Sequence, residues 1–205
     1  MTTYLQYSIA ATLVAIALGG QPVFAETLVV PPAPHILQPP AGNVPFLKGH
    51  AVGTQNYVCL PSSTGFAWTF FAPQATLFLT LDFSGRSIQQ QITTHFLSAN
   101  PNENGTLRPT WQSSLDTSAV WGRSIMSSTD SNFVEPGAIP WLLLQVVGTR
   151  TGPTGGAFLT QATFIQRLNT SGGIAPATGC SSSGNVGAIA LVPYTADYFF
   201  YKASH

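Results

Sequence analysis

Thr76-Leu77-Phe78-Leu79-Thr80-Leu81-Asp82-Phe83 repeats with a period of two: Leu77, Leu79, Leu81 and Phe83 fall on one face and the intervening residues on the other. That alternation marks a strand with one buried face. Similar short runs, rich in aromatic and β-branched residues, occur on both sides of it. They cover residues 55–60, 66–71, 88–97, 119–126, 141–147, 158–168, 188–192 and 195–201, and Gly, Pro, Asn and Ser separate them. No segment shows helical periodicity with caps at both ends. The pattern predicts an all-β, single-domain antiparallel β-sandwich or β-barrel, and the sequence does not choose between the two. Long loops are expected at residues 98–109, where Asn and Pro cluster, and at residues 127–139.

The N-terminal stretch has a different character. Ile9 to Leu18 is an apolar core followed by Gly19-Gly20, Pro22 and the small-residue pattern Val23-Phe24-Ala25. This reads as a secretory signal peptide over residues 1–25, although Met1 to Ser8 contains no Lys or Arg. Residues 26–48 carry six prolines, Pro31, Pro32, Pro34, Pro39, Pro40 and Pro45, and predict an extended lead-in over the surface that cannot join a central strand. Residues 49–205 form the expected β domain. Charged residues are only 7% of the chain, seven basic and seven acidic, so no face can carry the basic stripe that nucleic-acid binding requires. No later run reaches the ~18 unbroken apolar positions of a membrane helix, so no transmembrane segment is expected after signal cleavage.

Cys59 and Cys180 are the chain's two cysteines, and each has only the other as an intramolecular partner. An exported chain meets oxidising conditions, which favours a disulfide. Free thiols or a metal pair are the alternatives, but no second cysteine or His pair lies near either one, and zinc spacing is absent. A bond between them would close most of the domain and stabilise it by roughly 4–5 kcal/mol on loop-entropy grounds.

His95 ends a predicted strand beside Phe96, with Glu103, Asp116 and Arg123 nearby in sequence. A histidine with an orienting carboxylate can act as a general base; a strand-end histidine is more commonly a hydrogen-bonded structural residue. Glu103 and Asp116 could also be drawn as a glycosidase-like acid pair. Trp111 and Trp121 flank the Asp116 turn, and an indole beside polar groups can stack on a sugar ring or another flat ligand. Trp141, in Pro140-Trp141-Leu142-Leu143-Leu144, reads as core. Arg167 and Asp197 each interrupt an apolar strand and therefore need partners, which each could be for the other. His35, His50 and His95 lack metal-ligand spacing, no Gly-x-Ser-x-Gly elbow occurs, and neither a metal nor a cofactor is expected. Asn104-Gly105-Thr106 and Asn169-Thr170-Ser171 are glycosylation sequons if the host is a eukaryote.

Several motifs carry a resemblance: Gly53 to Cys59, Trp68 to Ala75, His95-Phe96, Pro109-Thr110-Trp111, Asp116 to Gly122, Ile139 to Leu144, Phe164 to Cys180 and Val192 to Tyr198. Together they resemble a family of secreted bacterial and fungal proteins of unknown function, over about residues 50–201. Some members are labelled malate dehydrogenase, a label this chain does not support, because no Gly-x-Gly-x-x-Gly follows a strand. The chain departs from the family pattern in two places: an Asn-rich insertion separates His95-Phe96 from Pro109-Thr110-Trp111, and Asp-Thr-Ser at residues 116–118 replaces Asp-Gly-Ser.

The residues thus predict an exported, disulfide-closed β domain that binds a small molecule or saccharide through His95, Trp111, Asp116 and Trp121. Two further readings stand beside it: a hydrolase or lyase using His95 with Asp116, and a structural protein of the cell wall or envelope.

Overall fold

A computed structural model describes residues 28–83 and 86–204, so the signal reading at residues 1–25 lies outside the described residues. Eight antiparallel strands follow one another round a closed barrel: β1 (Asn43–Ser62), β2 (Gly65–Phe83), β3 (Arg86–Asn100), β4 (Thr106–Ser113), β5 (Ala119–Ser128), β6 (Trp141–Arg150), β7 (Ala162–Gly172) and β8 (Ile189–Ala203). Each strand pairs with its sequence neighbours, and β8 returns to β1 to close the ring. Closure removes the unpaired edges that a sandwich would leave. Among the described residues the only helical pieces are four short 3₁₀ turns.

Several predicted runs fuse. Residues 66–71 and 76–83 are both in β2, and residues 188–192 and 195–201 are joined through β8, despite Pro73 and Pro193. The lead-in also contributes, because β1 begins at Asn43 and includes Pro45. One rule accounts for these prolines. Pro45, Pro61, Pro73, Pro109 and Pro193 all lie where their strand has a paired neighbour on one side only, near a staggered strand end. A residue without an N–H leaves no gap in a ladder that is absent on that side.

The expected long loop at 98–109 is instead a compact connection. β3 runs to Asn100, a 3₁₀ turn spans Pro101–Glu103, and Asn104 (φ 52°) and Gly105 (φ 81°) turn the chain into β4. Residues 158–161 are a 3₁₀ turn rather than strand, and β7 starts at Ala162. The loop expected at 127–139 does separate β5 from β6.

The barrel has two cores. Inside it pack Ala51, Leu77, Ile92, Trp111, Val120, Leu144, Ile165, Ala196, Tyr198 and Phe200. Outside it, Leu28, Val30, Ala33 and Leu37 of the lead-in and Phe133, Val134 and Ala138 of the β5–β6 loop cover Trp141, Leu143, Leu168, Phe199 and Tyr201. Gln166 pins this cover: its Nε2 donates to the Leu37 carbonyl at 2.6 Å, and its Oε1 accepts from the Tyr201 hydroxyl. The expected disulfide is present between Cys59 and Cys180.

Candidate functional site

In an up-and-down barrel the connections alternate between its two ends. The β1–β2, β3–β4, β5–β6 and β7–β8 connections share one end, and a cavity of about 250 Å³ opens there, lined by residues of β1, β2, β3, β4, β6, β7 and β8. Its floor is set by register. Tyr194, Gly53, Ala75, His95, Trp111 and Val120 are successive partners across six neighbouring strands, β8 and β1 to β5. Two small residues therefore sit beside two large planar ones. Gly53 is obligatory in this row, since a Cβ there would lie 2.1 Å from the Gln74 carbonyl oxygen.

His95 and Trp111 stack with ring centroids 4.2 Å apart and planes 11° from parallel, and Tyr198 tilts against His95 at 5.2 Å. Gly122 leaves room for the indole, because a Cβ would meet Trp111 Cζ3 at 3.1 Å and Leu144 Cδ2 at 3.3 Å. His95 Nδ1 lies 3.0 Å from the Thr110 carbonyl. A carbonyl only accepts, so Nδ1 carries the proton and Nε2 is the bare, accepting nitrogen. Burial drives the His95 pKa down to about 3, opposed by the Thr110 hydrogen bond and reinforced by the positive charge of Arg167. The imidazole is neutral at any ordinary pH.

Arg167 supplies the cavity's charge. It lies on the inner face of β7, and its Nε and Nη2 donate to the Pro140 carbonyl at 3.2 and 2.8 Å. No carboxylate lies within ion-pair distance of it: the ion pairs among the described residues are Lys48–Asp197, His50–Asp197 and Arg108–Glu103. Arg167 and Asp197, each a candidate partner for the other, do not pair, because the two residues face opposite sides of the wall. Arg167 is the register partner of Tyr198, whose ring points inward, whereas Asp197, the next residue, points outward to Lys48 Nζ (3.1 Å), His50 Nδ1 (2.9 Å) and Asn169 Nδ2 (2.9 Å). Burial would raise the Asp197 pKa, but these three partners together hold it below the ordinary value.

The β7–β8 connection is tied to β1 and β2 at this end of the barrel. Tyr57 Oη donates to the Gly173 carbonyl at 2.7 Å, Trp68 Nε1 donates to the Thr178 carbonyl at 2.8 Å, and Cys180 is bonded to Cys59. Burial raises the Tyr57 pKa, partly offset by Arg167.

The other sequence candidates lie apart from this cavity. Asp116 is in the β4–β5 turn at the opposite end. Its Oδ1 accepts from Ser118 N (3.1 Å) and Oγ (2.7 Å), and its Oδ2 accepts from Phe158 N (2.8 Å). Burial works against its ionisation, yet these hydrogen bonds hold the pKa down at about 2. Glu103 is in the β3–β4 connection and takes a two-point bond from Arg108 at 2.8 and 2.9 Å plus one from Asn100 at 2.8 Å. Trp121 lies on the outer face, with Nε1 donating to Ser98 Oγ at 2.9 Å and the Arg150 guanidinium 5.6 Å from its ring centre. The structure brings together His95 and Trp111 and separates both from Asp116, Glu103 and Trp121. Sequence reasoning missed Tyr57, Pro140 and Tyr198 as cavity residues. Arg167 was visible only as a charge in an apolar strand.

A closed eight-stranded barrel with a largely apolar mouth cavity, one guanidinium and a neutral histidine stacked on an indole defines the class of protein. The chain matches the model of the family described as "Protein of unknown function (DUF3455)" over residues 40–202, and it belongs to that family. No curated protein and no solved structure matches the chain.

Proposed function

We propose that this protein is an exported binding protein that holds a small molecule in the barrel mouth. One observation carries the reading: a ≈250 Å³ cavity with aromatic and proline walls stands above the His95–Trp111 stack, inside a scaffold stapled around it. Cavities of this kind in barrel mouths are common ligand sites, and this one falls below the usual ~300–1,000 Å³ of drug-sized ligands, so the ligand is small. The disulfide supports export, since such bonds persist in oxidising compartments. The wall chemistry favours an apolar organic compound over a saccharide. A sugar's hydroxyls need a dense set of polar partners, whereas most of this lining is Phe70, Pro73, Pro109, Pro140, Leu142 and Leu144 together with the aromatic stack.

A hydrolase or lyase using His95 with Asp116 has less support, because the fold puts Asp116 in the far turn with both carboxylate oxygens occupied. The reading is tested by thermal unfolding against a panel of small organic compounds and soluble saccharides. At a hundred times Kd a ligand adds ~2.7 kcal/mol, a shift of roughly 5–10 °C for a domain of this size. Organic compounds should raise Tm and saccharides should not. The cavity-filling variant Leu142→Trp should abolish the shift while keeping its own transition. Shifts that survive Leu142→Trp, or a flat panel, would overturn the proposal.

A further inference from the structure

The charge pattern of the cavity identifies the ligand's chemistry. Among the described residues Arg167 is the only ionised side chain that lines it, and no Asp or Glu is among the lining residues. Of the five guanidinium N–H bonds, the Nε proton and one on Nη2 are directed to Pro140. Both Nη1 protons and the second on Nη2 remain. Those two nitrogens form the end of the fork, the edge that grips a carboxylate with two parallel hydrogen bonds.

The Pro140 carbonyl fixes the fork in place without cancelling its charge, since a carbonyl contributes a dipole and no net charge. His95 cannot add a second positive charge, because it is held neutral and presents an accepting nitrogen. Apart from the Gln55 amide, whose buried Nε2 has no protein partner and is a further donor, the remaining walls are aromatic and aliphatic. We infer that the cavity selects a small organic acid, its carboxylate on the free Nη edge of Arg167 and its apolar body against the Trp111–Tyr198 side of the mouth. This inference rests on the binding reading above and narrows it to one ligand class.

Binding of benzoate and hexanoate, each compared with its neutral counterpart benzyl alcohol or 1-hexanol, tests it by calorimetric titration of the intact, oxidised protein at pH 7. The acids should bind about ten- to a hundred-fold more tightly than the alcohols, as expected for a charge-assisted pair. Arg167→Met should remove that preference and leave alcohol binding in place, and Arg167→Lys should retain part of it, because it keeps the charge and loses the fork. Should Arg167→Met not fold, the wild-type comparison and Arg167→Lys still decide. Equal binding of acid and alcohol overturns the acid inference and leaves the binding reading standing. No saturable binding of any of the four overturns both. Acid preference that persists in both Leu142→Trp and Arg167→Met places the site elsewhere and also overturns the inference.

Discussion

His95 is buried to 3% exposure and neutral in the fold, and that fixes the sign of its contribution to stability. Its pKa falls from 6.5 in the unfolded chain to about 3 in the folded one, so between those values the unfolded state binds the extra proton. The stability is present above pH 6.5 and is lost as pH falls towards 3, at up to about 1.4 kcal/mol per pH unit. Urea unfolding at pH 7 and pH 4.5 should show this loss in the wild type, and His95→Phe should flatten it. Gly122→Ala should cost about 1–3 kcal/mol in the same assay by pushing a methyl group against Trp111 and Leu144. At this scale the sequence was partly legible. His95 and Trp111 stand out by residue type, since each combines a planar ring with a polar edge. Arg167 also stands out as a charge among apolar neighbours, but its direction does not, because the register shift between Leu168 and Ser171 and the pairing with β8 decide which face each residue takes.

Among the elements, β4 is the shortest strand and meets β5 at three partner positions only, Thr110↔Trp121, Trp111↔Val120 and Gln112↔Ala119. Much of what holds this part of the wall is the polar turn after it. Asp116 and Ser118 cap the 3₁₀ turn at Phe158–Gln161 from across the β4–β5 turn, through Phe158 N and Leu159 N. Asp116→Ala strips two backbone N–H groups of their acceptor and should destabilise the protein by about 1–2 kcal/mol in urea unfolding, without altering ligand binding in the mouth. A loss of ligand affinity with unchanged stability would instead place Asp116 in the site. Strand existence was legible from alternation, as in residues 76–83, whereas strand continuity was not. Pro73 and Pro193 read as breaks, and only the one-sided pairing of those segments shows why they are tolerated. The β3–β4 connection looked loose for its Asn and Pro content, yet Asn100, Glu103 and Arg108 lock it by hydrogen bonds that composition does not reveal.

For the whole molecule, the Cys59–Cys180 bond spans 121 positions and ties β1 to the β7–β8 connection at the cavity end of the barrel. Replacing both cysteines by serine should lower stability by up to roughly 4–5 kcal/mol, read as a drop in the urea midpoint, and should weaken ligand binding, because Gly173 to Ala188 then has only its hydrogen bonds to hold it. An unchanged midpoint would show that the barrel closes as firmly without the bond. The pairing of these cysteines was legible because neither has another partner, but barrel closure was not: nine alternating runs fit two facing sheets as well as a ring. What decides is the last ladder, from Asn43↔Ala203 to Val58↔Ile189. Its two sides are the first and last strands of the barrel, so every other seam can zip between sequence neighbours while this one waits for β8. Until β8 docks, β1 and β7 are exposed, adhesive borders, and the folding protein is at its most vulnerable to pairing with a neighbouring chain in that interval.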